Sequence, residues 1–294
     1  MRILKFAFLF AGVVVLTWIF GFGGLSDVTR WVVTEQRDTQ NALAAGLRAV
    51  RTGETGAWLA LMSICAAYGF FHAVGPGHGK LVIGGLGFAT GMTALRLSLL
   101  AVAASLAQAT VAIVLVVIGA FVLGWGLTEM TALTEEIMAP ASYAAIGLVG
   151  LWLVFRGVRR GTSTLVYPMD SDRHCDNCGH AHGPSLHQVE SMTSWLDALA
   201  IVGSIAIRPC TGAVFLLILC FGFGIPWAGI AGTFVMGLGT ASVTLFCALI
   251  AVTVRRTALP SWSGEKTIKT MAVIEIISGG IIAFISIQLV LPFI

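Results

Sequence analysis

Charge is the scarcest commodity in this chain: only 11% of its 294 residues are Asp, Glu, Lys or Arg, whereas 57% are hydrophobic. With a mean hydropathy of +0.93, there is too little polar surface to cover a water-soluble globule, so lipid must be the solvent. The net charge of +3 provides no broad basic face, and no nucleic-acid partner is expected. The six cysteines do not form a disulfide framework: Cys65, Cys210, Cys220 and Cys247 lie within apolar runs, and Cys175 and Cys178 lie on a loop assigned to the reducing side. No His-Glu-x-x-His sequence occurs, and no general base stands beside a histidine pair, which argues against an intramembrane metalloprotease and against an enzyme in general.

What the chain has in quantity is long apolar runs. They fall near residues 3 to 22, 57 to 90, 97 to 127, 139 to 157, 195 to 224, 227 to 254 and 270 to 291. Each can cross about 30 Å of hydrocarbon at about 1.5 Å per residue. The expectation is an all-α, polytopic membrane helix bundle of about seven transmembrane helices. The third run is longer than a perpendicular crossing needs, so a tilt or a break is expected near Gly119 or Gly124. Residues 1–22 are read as an N-terminal transmembrane anchor. A cleaved signal peptide is the alternative, disfavoured because no Ala-x-Ala site follows.

Placing the amino terminus in the cytoplasm, with Arg2 and Lys5, puts most basic residues on inside loops: Lys80 and Arg96, then Arg156, Arg159, Arg160 and Arg173, then Arg255, Arg256, Lys266 and Lys269. The outside loop near residue 130 carries Glu129, Glu135 and Glu136 without a base. Between the first two crossings, residues 23–55 form an extracytoplasmic amphipathic segment. Its apolar stripe is Trp31, Ala42, Leu43, Leu47 and Val50, and its opposite face carries Arg37, Asp38, Gln40, Arg48 and Arg51. Such a segment would lie on the outer membrane surface or cap the bundle.

The remainder divides into a first three-helix half, 56–157, a cytoplasmic loop, 158–194, and a second half, 195–294. Gly75-Pro76-Gly77-His78-Gly79 and Arg208-Pro209-Cys210-Thr211-Gly212 share the spacing Pro-x-x-Gly and run in opposite directions across the membrane, implying an inverted 3+3 repeat with broken helices. Interrupted spans at corresponding places in two halves mark a transporter's binding site.

His72, His78 and Lys80 sit in or beside an otherwise nearly uncharged span. Neutral imidazole is a good ligand for nickel, copper and zinc. Pro76 and its neighbouring glycines prevent a continuous helix, leaving backbone polar groups to help receive a dehydrated cation. In the fifth span Cys210 offers a soft ligand and Thr211 an oxygen. Arg208 would repel a cation and is assigned to gating or pairing, with Asp197 or Glu275 as the carboxylate it balances. Lys80 and Glu275 join it as gating or coupling residues. Thr240, Ser242 and Thr244 are explained equally well by helix packing. On the second loop Cys175, Cys178, His180 and His182, with His174 and His187, have types and spacings suited to Zn²⁺ or Ni²⁺, as buffer, sensor or structural knot.

The histidine segment His72 to Lys80, the segment Ile207-Arg208-Pro209-Cys210-Thr211-Gly212, the later Gly237-Leu238-Gly239-Thr240-Ala241 and the His-rich loop together resemble the nickel/cobalt transporter (NicO) family, in particular its efflux-type branch. The stretch Gln36 to Gly53 also resembles the segment that precedes the histidine motif in that family. The resemblance implies an inner-membrane permease for nickel, cobalt or zinc with His72 and His78 as pathway ligands. It has the lipid bilayer as its surroundings and a periplasmic metal-binding protein as a candidate partner. No cofactor is expected beyond the bound or transported ion. One departure matters: the related uptake permeases carry an Asp where this chain has Gly77, which leaves the site less anionic. Neither import nor export follows. The rival class is a membrane thiol-disulfide carrier using Cys210, for which Cys65 would be an unlikely partner.

Overall fold

The computed structural model describes residues 24–75, 92–163, 195–258 and 265–293. Among these the chain is helical throughout, with no strand. Five helices are long and apolar enough to cross a membrane, or six if one bent pair counts as a single span. The run at 3–22 and the loop at 164–194 lie outside the described residues.

Helix α1 spans Gly24–Thr52. Its stripe of Val32, Leu43, Leu47 and Val50 is buried, while Arg37, Asp38, Arg48 and Arg51 stay exposed, as the helical spacing requires. Gly53 and Gly56, at φ 74° and 80°, supply left-handed backbone that only glycine adopts freely, and they reverse the chain into α2, Ala57–Val74. The two helices pack lengthwise and antiparallel: Gly46 lies against Leu61 and Ile64, and Trp31 meets Phe71 edge-on at 5.6 Å. Thus α1 runs along the side of the bundle instead of standing apart from it.

Helix α2 ends where its sequence demands. Gly75 is extended, at φ −55° and ψ 166°, and its N–H closes the last turn on Phe71. A residue preceding proline is driven out of the helical region, and Pro76 follows. Helix α3, Ala94–Phe121, starts at the cap Thr93, whose hydroxyl accepts from Arg96 N. It stops short of the turn at Gly124, φ 66°, so the third apolar run breaks where its excess length suggested. Helix α4, Leu127–Ala132, continues through a π-helical stretch, Leu133–Met138, into α5, Ala139–Ser163.

The fifth apolar run is interrupted as the proline predicts. Helix α6, Trp195–Ala206, and helix α7, Thr211–Gly222, bend by 66° at the break. Gln108 of α3 donates to the carbonyls of Ile205 and Arg208 at 3.2 and 3.1 Å. These are acceptors that a broken helix inside lipid would otherwise leave orphaned. Helix α8, Pro226–Ala258, begins with proline in the position where its missing N–H costs nothing, and α9 spans Glu265–Val290.

Two close helix pairs hold the bundle. Helix α2 crosses α8 at small residues: a Cβ on Gly69 would overlap the Met236 carbonyl, and one on Gly239 the Ala66 carbonyl. Thr240 Oγ1 donates to Gly69 O at 3.1 Å across the pair. The remaining hydroxyls return to their own helix, Ser242 to Gly239 O and Thr244 to Ala241 O, so packing accounts for all three. Helix α5 meets α9 in the same manner at Gly150 and Gly279.

Candidate functional site

The end of α2 and the break between α6 and α7 meet at one point. His72 lies in the last turn of α2, and Cys210 is the residue preceding α7. Their side chains lie next to each other and interact electrostatically. Cys210 is the cap of α7, and its carbonyl takes the N–H groups of Ala213 and Val214 at 3.0 and 3.1 Å. A nitrogen and a sulfur ligand type are therefore brought together by the end of α2 and the break between α6 and α7.

The surroundings fix this pair. Tyr68, one turn before His72, is buried, and its ring stacks on the imidazole at 5.9 Å with an interplanar angle of 10°. Its hydroxyl lies beside the Cys210 and Thr211 side chains. Gly212 makes room for that ring, since a Cβ there would overlap it. From α1, Gln36 Nε2 reaches the Tyr68 hydroxyl at 3.5 Å and His72 Nδ1 at 3.4 Å. His72, Cys210 and Thr211, singled out from sequence, are thus brought together. Gln36 and Tyr68 complete the cluster and were not anticipated. Only the amphipathic period of α1, with Gln36 four residues from Val32 on the same face, hinted that the glutamine points inward.

His78, Lys80, and the loop residues His174, Cys175, Cys178, His180, His182 and His187 lie outside the described residues. Among the described residues no three His, Cys, Asp or Glu side chains converge as a metal-holding group.

The pairing expected for Arg208 is corrected. Its guanidinium donates to Glu135 Oε2 at 3.0 Å and to the Tyr143 hydroxyl, and it lies over the Tyr143 ring at 5.3 Å. Neither Asp197 nor Glu275 is its partner. Arg208 follows the carboxylate that the π-helical stretch offers at the break. Glu275 is instead fully buried between α5 and α9, where Oε1 takes Arg156 at 2.6 Å and Arg160 at 3.0 Å. It joins two helices and does not enter the His72 cluster. Cys65 packs in the core beside Cys220, so Cys210 has an imidazole and a phenol, not a thiol, for company.

Comparison with known proteins adds an independent line. Residues 56–174 match the family model NicO, described as a high-affinity nickel-transport protein. A protein of Haemophilus influenzae, whose name proposes a nickel/cobalt efflux system, is 26% identical over 280 residues, covering 88% of this chain and 87% of its own. No solved structure matches. The matched stretch contains α2, α3, α4 and α5, and on these findings the chain is a multi-pass membrane protein that is similar over residues 56–174 to the NicO nickel-transport family.

Proposed function

We propose that this protein is an inner-membrane permease that moves Ni²⁺ or Co²⁺ outward, with the ion passing His72 and Cys210. The observation that carries the reading is the imidazole and thiol brought side by side where the end of α2 meets the break between α6 and α7. Imidazole and thiolate are ligands of late first-row divalent metals. A cation shedding its water inside lipid needs such partners. His78, four residues beyond Val74 at the end of α2, is the second imidazole of the proposed path, and the Cys/His loop at 174–187 is the proposed cytoplasmic collecting site. Outward movement follows the name of the H. influenzae relative. With the amino terminus cytoplasmic, the same charge bias orients the rest.

An inverted repeat is supported by how the helices pair. Helix α2 packs on α8 as α6 packs on α3, while α3 with α8 and α5 with α9 pair across the two halves. Such exchange of equivalent contacts is what a two-fold axis in the membrane plane produces.

The test is flux in proteoliposomes loaded with nickel, cobalt and zinc in competition, measured in both directions. Nickel and cobalt should be carried. His72→Ala and Cys210→Ser should each reduce flux at least about tenfold, the loss usual for a disturbed metal ligand set, with membrane insertion unchanged. Undiminished flux in both variants would remove the cluster from the path, and a rate for zinc above those of nickel and cobalt would overturn the choice of ion.

A further inference from the structure

We infer that Gln36, on the amphipathic helix α1, is a positioning residue that sets which nitrogen of His72 is offered to the ion. This rests on the proposed ion path through His72 and Cys210 and adds to it a helix that contributes no ligand of its own.

The argument starts from the carboxamide. Gln36 Nε2 faces His72 Nδ1 at 3.4 Å and the Tyr68 hydroxyl at 3.5 Å. An amide nitrogen is a donor only. With that nitrogen facing it, Nδ1 must act as an acceptor, so its lone pair is spent on Gln36 and the ring proton sits on Nε2. In that arrangement neither nitrogen is open to a cation. A half-turn of the carboxamide presents its oxygen instead. Nδ1–H then donates to Gln36, and the ring's lone pair moves to Nε2. The state of one amide therefore decides whether His72 is closed or open as a ligand. Metal-bound histidines characteristically donate their other N–H to an oxygen acceptor, which fixes the tautomer and raises ligand basicity.

Three observations hold Gln36 at this task. Val32, one turn earlier on α1, is buried at 1% exposure and lies against Gly75 at the end of α2. Trp31 packs on Phe71, the residue before His72. Tyr68 lies parallel to the imidazole, its centroid 5.9 Å away, which disfavours turning the ring over to exchange its nitrogens. The ring is clamped on its face and addressed at its edge, so the amide is the part left to rotate.

The test uses two substitutions with opposite expected signs in the full-length protein. Gln36→Glu places a permanent acceptor at Nδ1 and should lower the KM for Co²⁺. Gln36→Leu removes the acceptor and should raise KM by about tenfold, within the range for lost outer-shell partners, with the maximal rate within about twofold. A mere loss of packing would move both variants the same way. Cobalt titration of purified protein gives a second readout. The sulfur-to-cobalt charge-transfer band should appear at saturation in both variants, at higher cobalt for Gln36→Leu and at lower cobalt for Gln36→Glu. If His72→Ala and Cys210→Ser lose transport while both Gln36 variants keep the wild-type KM and titration midpoint, the positioning role is overturned and the ion path stands. If the wild-type protein shows no sulfur-to-cobalt band, the ion path itself falls.

Discussion

At the residue scale the most consequential side chain outside the His72–Cys210 cluster is Glu275. It is fully buried and balances two arginines through one oxygen, while Trp152 packs on Arg156 with the guanidinium 4.9 Å from its ring. Removing the carboxylate leaves two cations facing each other without compensation, and breaking such a pair from one side typically costs about 3–5 kcal/mol. Glu275→Ala should therefore lower the temperature at which purified protein loses its monodisperse form, and Arg156→Ala should lower it less because Arg160 still holds the carboxylate. Equal stability of Glu275→Ala and the parent would show the pair to be dispensable. This partner was not legible in the sequence. Hydropathy says that Glu275 is in a span but not which of several arginines its helix faces. His72 and Cys210 were legible for the opposite reason. A ligand type next to a proline, as Cys210 is, or four residues before one, as His72 is, has few explanations in an apolar run, whereas Tyr68 and Gln36 belong to ordinary helical patterns and acquire a role only through packing.

The helices themselves were written more openly. The stops at Pro76, Gly124 and Pro209 follow from backbone chemistry alone, and each falls at or within a few residues of a helix end. What local chemistry could not supply is the lengthwise pairing of α1 with α2, because an amphipathic stripe says that one face is covered and not by what. The contact between α2 and α8 is the element-scale feature most open to test. Gly69 and Gly239 let the two backbones approach closely, and association of helices in lipid depends on such small residues because lipid tails are as apolar as leucine. Gly239→Leu should force α8 away from α2, break the Thr240 bond to Gly69, and sharply reduce the yield of folded protein from membranes. Gly280→Leu serves as control, since nothing lies within 4 Å of the position of its Cβ. Its yield should match the parent, and a parental yield for Gly239→Leu would sink the close-approach argument.

For the molecule as a whole, the arrangement of helices constrains how access could alternate. The motion usual for inverted repeats is rocking of the first half against the second. The halves, however, interleave: α2 and α3 both lie on α8, α6 lies on α3, and α5 is packed along α9. No single surface separates residues 56–157 from 195–294, and rocking them as rigid bodies would break the glycine contacts and the buried Glu275 pairs together. Movement confined to the α6–α7 break and to α1 disturbs far less. The two schemes differ at one pair of positions. A Cβ on Gly147 of α5 would lie 3.2 Å from Ser286 Cβ on α9, within a few tenths of an ångström of the usual range of about 3.5–4.5 Å for a disulfide. The double variant Gly147→Cys with Ser286→Cys should cross-link under mild oxidation. If α5 and α9 form a fixed frame, nickel flux in the oxidised protein should stay within about twofold of the reduced, allowing for the small strain such a bridge stores. If the halves must part, oxidation should stop flux and a reductant should restore it, which would return the motion to the chain halves and take it from the break beside Cys210.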